Sequence, residues 1–291
     1  MSGRQVFGDF PEDYSNLEKA RIVIVPVPYD ETSTWIKGAD KGPAAIFEAS
    51  ANLEYYDLET GFEVCRLGIA TEAFITEKSS PEAMVAAVQR EVAARIRKEQ
   101  FPVVIGGEHS VSIGAVAAHV ENVNDLTVVQ LDAHSDLREE YNGSRYNHAC
   151  VMARIRQMCP IVQVGIRSMD YSEKKTMAEG RVFFAKDIYN QKEWITEIVT
   201  RLSPHVYITI DLDVFDPAVM PSTGTPEPGG LFWYDILPFL KTICERREVV
   251  GFDVVELCPN PANKAPDFLA AKLVYTLLSY KFGGGNNTIF S

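Results

Sequence analysis

Short apolar runs alternate with longer stretches of helical character along this 291-residue chain, and no other feature constrains its fold as strongly. "RIVIVPVPYD" (21–30), "FPVVIGG" (101–107), "LTVVQLD" (126–132), "IVQVGI" (161–166), "RVFFA" (181–185), "HVYITIDLD" (205–213) and "VVGFDVVEL" (249–257) read as strands. Several are nearly unbroken in Val and Ile, as strands are when both faces of their sheet are covered. Between them, 80–99 sets Met84, Val85, Val88, Val92 and Ile96 close to a 3.6-residue period, and 190–202 and 267–280 behave similarly. This β-then-α order predicts an α/β fold, a three-layer α/β/α sandwich around a mainly parallel sheet. No repeat or long linker divides the chain, so residues 1–291 are expected to form a single domain. The Gly-rich end "FGGGNNTIFS" is expected to fray.

In parallel sheets, ligands gather at the carboxyl ends of the strands. Here those ends carry "GGEHS" after the strand at 103, "DAHSD" after 126, "DLD" after 206 and "VEL" after 250. Groups that are costly to bury therefore collect along one edge of the inferred sheet. Scattered surface charge would not do this.

Lys and Arg number 28 against 40 Asp and Glu, a net charge of -12, which argues against a nucleic-acid partner. That charge suits a cationic small molecule, although acidity for solubility is the plainer reading. The five cysteines show no CxxC pair, so reduced thiols are expected rather than a disulfide framework. The start is too polar for a signal peptide, and no apolar run reaches the ~18 residues of a membrane span. A cytoplasmic location without membrane contact is the expectation.

Asp132, His134 and Asp136 fall at every second position, so in extended backbone they share a face. Two carboxylates and an imidazole at a buried edge repel or lose hydration unless a cation neutralises them, although a solvated loop would carry the same letters. Asp211 and Asp213 follow the apolar "VYITI" in the same way, and His109 ends "GGEH". Four carboxylates and two imidazoles exceed the needs of one ion and suit two, whose four positive charges balance the four Asp. Oxygen-rich ligation without thiolate favours Mn²⁺ over structural Zn²⁺. Asp216, before Pro217, reads as a turn residue, and His119 and His205 as structural or exposed.

"GGEHS", "LDAHSD" and "TIDLDVFDPAVMPSTGTPEPGG" resemble the three metal-site signatures of the ureohydrolases, the arginase and agmatinase family. The last is the most specific, and the resemblance runs from about 27 to 259. It implies an α/β/α sandwich with an eight-stranded parallel sheet, two Mn²⁺ per chain, a homotrimer or homohexamer, and hydrolysis of a small guanidino substrate to an amine and urea by a metal-bridging hydroxide. By position, His109, Asp132, Asp136 and Asp211 would hold one ion, and Asp132, His134, Asp211 and Asp213 the other. His148 would match the histidine that shuttles protons near the substrate, Asp136 would pass on the proton of the attacking hydroxide, and Glu256 would pair with the guanidinium. The chain departs from the family pattern at Glu108, where Asp is common, and at Ala149, where Gly is usual.

The segment "LREEYNGSRYNHA" lacks the Asn and Ser with which arginases read an α-carboxylate. Glu139 and Glu140 would make an acidic entrance suited to agmatine, giving putrescine and urea, whereas Arg138 or Arg145 could receive the carboxylate of guanidinobutyrate. The alternatives are guanidinobutyrase, arginase or formimidoylglutamase, a one-zinc deacetylase of related fold, or a metal-binding relative without turnover.

Overall fold

All seven apolar runs form strands in the computed structural model, which describes residues 5–283. They are β1 (Ile22–Val27), β3 (Phe101–Gly106), β4 (Leu126–Leu131), β5 (Ile161–Ile166), β6 (Val182–Phe184), β7 (His205–Asp211) and β8 (Glu248–Val255). The remaining strand, β2 (Ile69–Thr71), spans three residues, too few to show a periodicity. The sheet runs β2-β1-β3-β8-β7-β4-β5-β6, and every pairing is parallel. Residues 284–291 of the Gly-rich end lie outside the described residues.

The helices are α1 (Glu12–Ser15), α2 (Gly42–Ser50), α3 (Pro81–Arg97), α4 (Val111–Asn122), α5 (Val151–Ile155), α6 (Ala185–Ile188), α7 (Glu193–Thr200), α8 (Trp233–Arg246) and α9 (Ala265–Gly283). Strand alternation feeds two cores. Ile22, Ile24, Ile105, Ile208 and Ile210 pack on one face with residues of α2, α7, α8 and α9. Val23, Val25, Val104, Val128 and Tyr207 pack on the other with α3, α4 and α5. These are the three layers.

Six helices among the described residues escaped the periodicity reading, and the two longest of them, α4 and α8, did so for physical reasons. The sequence of α4, "VSIGAVAAHVEN", is buried almost all round, so it shows no polar stripe. It is also built of small residues because α3 lies close, and a Cβ at Gly114 would sit 2.3 Å from the Val85 carbonyl oxygen. In α8, Pro238 interrupts the helical signal.

Strand register positions the site. Leu131 of β4 pairs with Ile210 of β7, Ile210 with Val254 of β8, and Val254 with Ile105 of β3. The four central strands therefore end level, and whatever follows each one meets its neighbours above the sheet.

Candidate metal and active site

Asp211 ends β7, Asp132 follows β4 directly, Glu256 follows β8, and His109 lies three residues beyond β3. The expected extended alternation does not continue past the strands. The Asp132 carboxylate accepts the His134 backbone N–H at 2.6 Å and the Asp211 carboxylate accepts the Asp213 N–H at 2.9 Å, so each segment turns at its first acid. Asp213 lies in a 3-10 turn and Asp136 has φ of 51°. The side chains converge nonetheless, through turns rather than through a shared strand face.

His109 Nδ1 lies 3.1 Å from Asp132 Oδ2, 3.0 Å from Asp136 Oδ2 and 3.6 Å from Asp211 Oδ2. His134 Nδ1 lies 2.8 Å from Asp213 Oδ2 and 3.7 Å from Asp132 Oδ1. Two groups able to hold an ion result, His109–Asp132–Asp211 and Asp132–His134–Asp213, and they share Asp132. Five of the six residues expected as ligands fall in these groups, and the sixth, Asp136, reaches the same His109 nitrogen. Gln130 Nε2 steadies the shared carboxylate at 2.6 Å.

His109 provides a test of whether a cation fits. Its Nε2 is 2.8 Å from the Thr209 hydroxyl, which donates to Asp253 Oδ1 at 2.6 Å. The hydroxyl proton being spent on Asp253, Thr209 accepts from Nε2–H, and in the neutral ring Nδ1 is left as a lone pair. That buried Nδ1 has no hydrogen bond although three carboxylates surround it. A lone pair facing anions is repulsive, and a cation among them resolves the conflict. Without a cation the same acids draw a proton onto the ring: against burial, Asp132 and Asp136 hold His109 well above its ordinary value. Burial, then Asp213 and Asp136, pushes Asp132 up to about 7. Burial, then Asp213 and Asp132, holds Asp211 well above the usual carboxylate range.

Glu256 has φ of 68° and is buried, and its Oε1 accepts the His109 N–H at 2.7 Å. A bulky residue in left-handed backbone is strained, and such strain clusters at sites where a side chain must be aimed. Burial first, and then Glu108, holds the Glu256 carboxyl well above its ordinary range, as expected of an acid awaiting a cation. Glu256, His148, Asp136, His109, His134, Asp211 and Asp213 all line one cavity of about 330 Å³. Its rim carries Trp35, Arg138, Tyr141, Met169 and Asp170.

Glu139 and Glu140 do not line this cavity, which corrects the acidic-entrance expectation. Arg154 is buried, and its guanidinium claims the Glu139 carboxylate together with Arg156 at 2.5 Å and Arg145 at 3.8 Å. A buried cation needs a partner, and Glu139 supplies it. Arg138, proposed as a carboxylate receptor, faces Asp170 at 3.7 Å and covers the Tyr141 ring at 4.7 Å. Asp216 caps a turn by accepting the Ala218, Gly229 and Gly230 N–H groups, and His119 and His205 bond backbone carbonyls away from the site.

Sequence reasoning missed the rim segments 30–36 and 168–173. Both follow carboxyl ends of strands, β1 and β5, so the rule that found the acids would have reached them too. Buried Glu173 gave no signal. It accepts from the Ser135 hydroxyl and the Leu137 N–H, each at 2.8 Å, and so pins the 132–137 loop.

Residues 20–279 match the arginase family. An N(1)-aminopropylagmatine ureohydrolase from a Synechocystis species is 38% identical over 92% of both chains, and one from Thermus thermophilus is 39% identical over 96% of this chain and 95% of its own. The solved agmatine ureohydrolase of Thermoplasma volcanium superposes with a TM-score of 0.85 at 32% identity, covering 96% of this chain and 95% of that one. With eight parallel strands, a doubled ligand cluster at their carboxyl ends and these relatives, the chain belongs to the arginase family, as an amidinohydrolase of the agmatinase type.

Proposed function

We propose that this chain hydrolyses the guanidino group of a linear cationic amine, with two Mn²⁺ ions held by His109, Asp132, Asp136 and Asp211 and by Asp132, His134, Asp211 and Asp213. The reading is carried by one observation: two ligand groups share the buried Asp132, and their other members, His109, Asp211, His134 and Asp213, line the same cavity as Glu256 and His148. Bound there, the metal pair would supply a Lewis acid and lower the pKa of water. Glu256 pairs with the planar guanidinium and orients its carbon over the cluster. Water adds to that carbon, the bond to the alkyl nitrogen breaks, and urea and a primary amine leave. The amine must depart protonated: Asp136 would pass it the proton that the attacking water gives up, and neutral His148 would first take up a proton from solvent and then hand it on. Burial lowers the His148 pKa, so the imidazole is mainly neutral and able to accept at neutral pH.

Agmatine, giving putrescine and urea, fits the cavity chemistry. Arginine would bring a carboxylate into a cavity that Asp170 and Glu173 also line, and the Arg138 guanidinium there already faces Asp170 at 3.7 Å. N(1)-aminopropylagmatine is a second reading, favoured by the Synechocystis and Thermus relatives and by a rim that opens at Trp35, 75% exposed. A homotrimer or homohexamer in the cytoplasm remains part of the proposal. Urea release from agmatine, N(1)-aminopropylagmatine, guanidinobutyrate and arginine at one Mn²⁺ concentration tests it. Either amine substrate should give the highest kcat/KM. Arginine in first place would sink the amine reading, and guanidinobutyrate in first place would assign Arg138 to a carboxylate.

A further inference from the structure

We propose that Glu108 and Thr32 form a positioning relay that fixes the orientation and tautomer of His148. The inference rests on the reading of His148 as the proton-transfer group. Glu108 is fully buried and stands where the family pattern favours the shorter Asp. Its carboxylate meets four donors. Oε2 accepts the Thr32 N–H at 2.6 Å and the Ser33 N–H at 3.1 Å, while Oε1 accepts the Thr32 hydroxyl at 2.5 Å and the Ser110 hydroxyl at 2.6 Å. With four donors on its two oxygens, the carboxylate is an acceptor toward each of them.

The consequence passes through one hydroxyl. Thr32 Oγ1 gives its single proton to Glu108, so toward every other neighbour it can only accept. Two neighbours use it, the His148 backbone N–H at 3.0 Å and His148 Nδ1 at 3.2 Å. Nδ1 must therefore carry the ring proton, and Nε2, the opposite corner of a ring lining the cavity, keeps the lone pair. The backbone bond fixes where the residue sits and the ring bond fixes how the imidazole turns. The relay joins three strand ends, since Thr32 follows β1, Glu108 follows β3, and His148 lies in the segment between β4 and β5. The extra methylene of Glu over Asp lets one carboxylate reach the 32–33 backbone and Ser110 together.

Thr32→Val keeps the side-chain volume and removes the hydroxyl, whereas Thr32→Ser restores it. Urea-release kinetics, metal content and imidazole ¹⁵N NMR would be compared for wild type, both variants and His148→Asn. The NMR would use full-length protein loaded with diamagnetic Zn²⁺. Thr32→Val should keep its metal and nearly its KM while kcat falls about 10- to 100-fold, below the loss from removing the proton-transfer group itself. Thr32→Ser should return kcat to within about threefold of wild type. The His148 signals should show Nδ1–H in wild type and lose that preference in Thr32→Val. Thr32→Ala, which only empties space, carries the same expectation should Val not fold. Wild-type kcat in Thr32→Val beside an impaired His148→Asn would overturn the relay. So would metal loss in proportion to activity. A fully active His148→Asn would instead reject the proton-transfer reading, and an unchanged tautomer in Thr32→Val would then reject the relay by itself.

Discussion

At the residue scale, Asp132 carries the largest consequence. Its two oxygens face different imidazoles, Oδ2 toward His109 at 3.1 Å and Oδ1 toward His134 at 3.7 Å. Among the described residues it is the member common to both geometric groups, and with Asp211 it is one of the two ligands assigned to both ions. Asp132→Ala is expected to lower bound Mn²⁺ from near two ions per chain to below one, because removing a shared ligand weakens each ion's hold. His134→Ala touches one group only and should leave about one ion. Elemental analysis after equilibration in Mn²⁺ and gel filtration separates these outcomes, and one firmly bound ion in Asp132→Ala would contradict the shared assignment. The acids and imidazoles at this scale were legible in the sequence because they sit at fixed offsets from apolar runs. Thr32, Glu108 and Glu173 were not legible as partners, since their roles are contacts across 76, 116 and 36 residues of chain. Glu139 misled for the same reason: its partner Arg154 lies 15 residues away and inside the fold.

At the element scale, α4 shows how packing sets a titration. His119, in its last turn, packs at a tilt against the Tyr207 ring of β7, their centroids 4.8 Å apart, with Nδ1 2.8 Å from the Ala115 carbonyl oxygen and Nε2 3.2 Å from that of Val250. Gly251 of β8 makes room for it, because a Cβ there would stand 2.4 Å from His119 Nε2. Burial holds this imidazole down to about 4. The unfolded chain takes up a proton near pH 6.5, while the folded chain resists to about pH 4. The stability tied to His119 is therefore intact above about pH 6.5 and lost progressively as pH falls toward 4, by at most about 3 kcal/mol. His119→Leu should flatten that part of the acid dependence. The check is the urea midpoint of both proteins at pH 7.5 and 5.0; parallel losses would mean that His119 is not held neutral. The strands were readable because burial on both faces demands unbroken Val and Ile. The same all-round burial erased the amphipathic stripe by which α4 would have been found.

At the scale of the whole molecule, the ligand cluster ties together segments distant in sequence, around 109, 132–136 and 211–213, each rooted in a different central strand. Without a cation, this edge gathers four Asp around two imidazoles in a chain that already carries a net charge of -12. Ion binding to the folded state alone should therefore raise global stability, since the unfolded chain cannot assemble ligands so far apart. Free Mn²⁺ at ~100 times its Kd stabilises by about 2.7 kcal/mol per site. For a chain of this size, each kcal/mol moves Tm by roughly 2 °C, so two filled sites should raise it by about 10 °C. Chelation followed by differential scanning calorimetry, with and without added Mn²⁺, reads this directly. The rise should shrink sharply in Asp132→Ala, and it should not reappear with Na⁺ at matched ionic strength, which screens the acids without being held by them. Hydrogen exchange adds a spatial criterion. Mn²⁺ should protect amides at the carboxyl ends of β3, β4 and β7 most, and those of the outer strands β2 and β6 least. An unchanged Tm with Mn²⁺, or protection spread evenly over the sheet, would show that no ion bridges these strand ends and would remove the basis for a metal-dependent hydrolase.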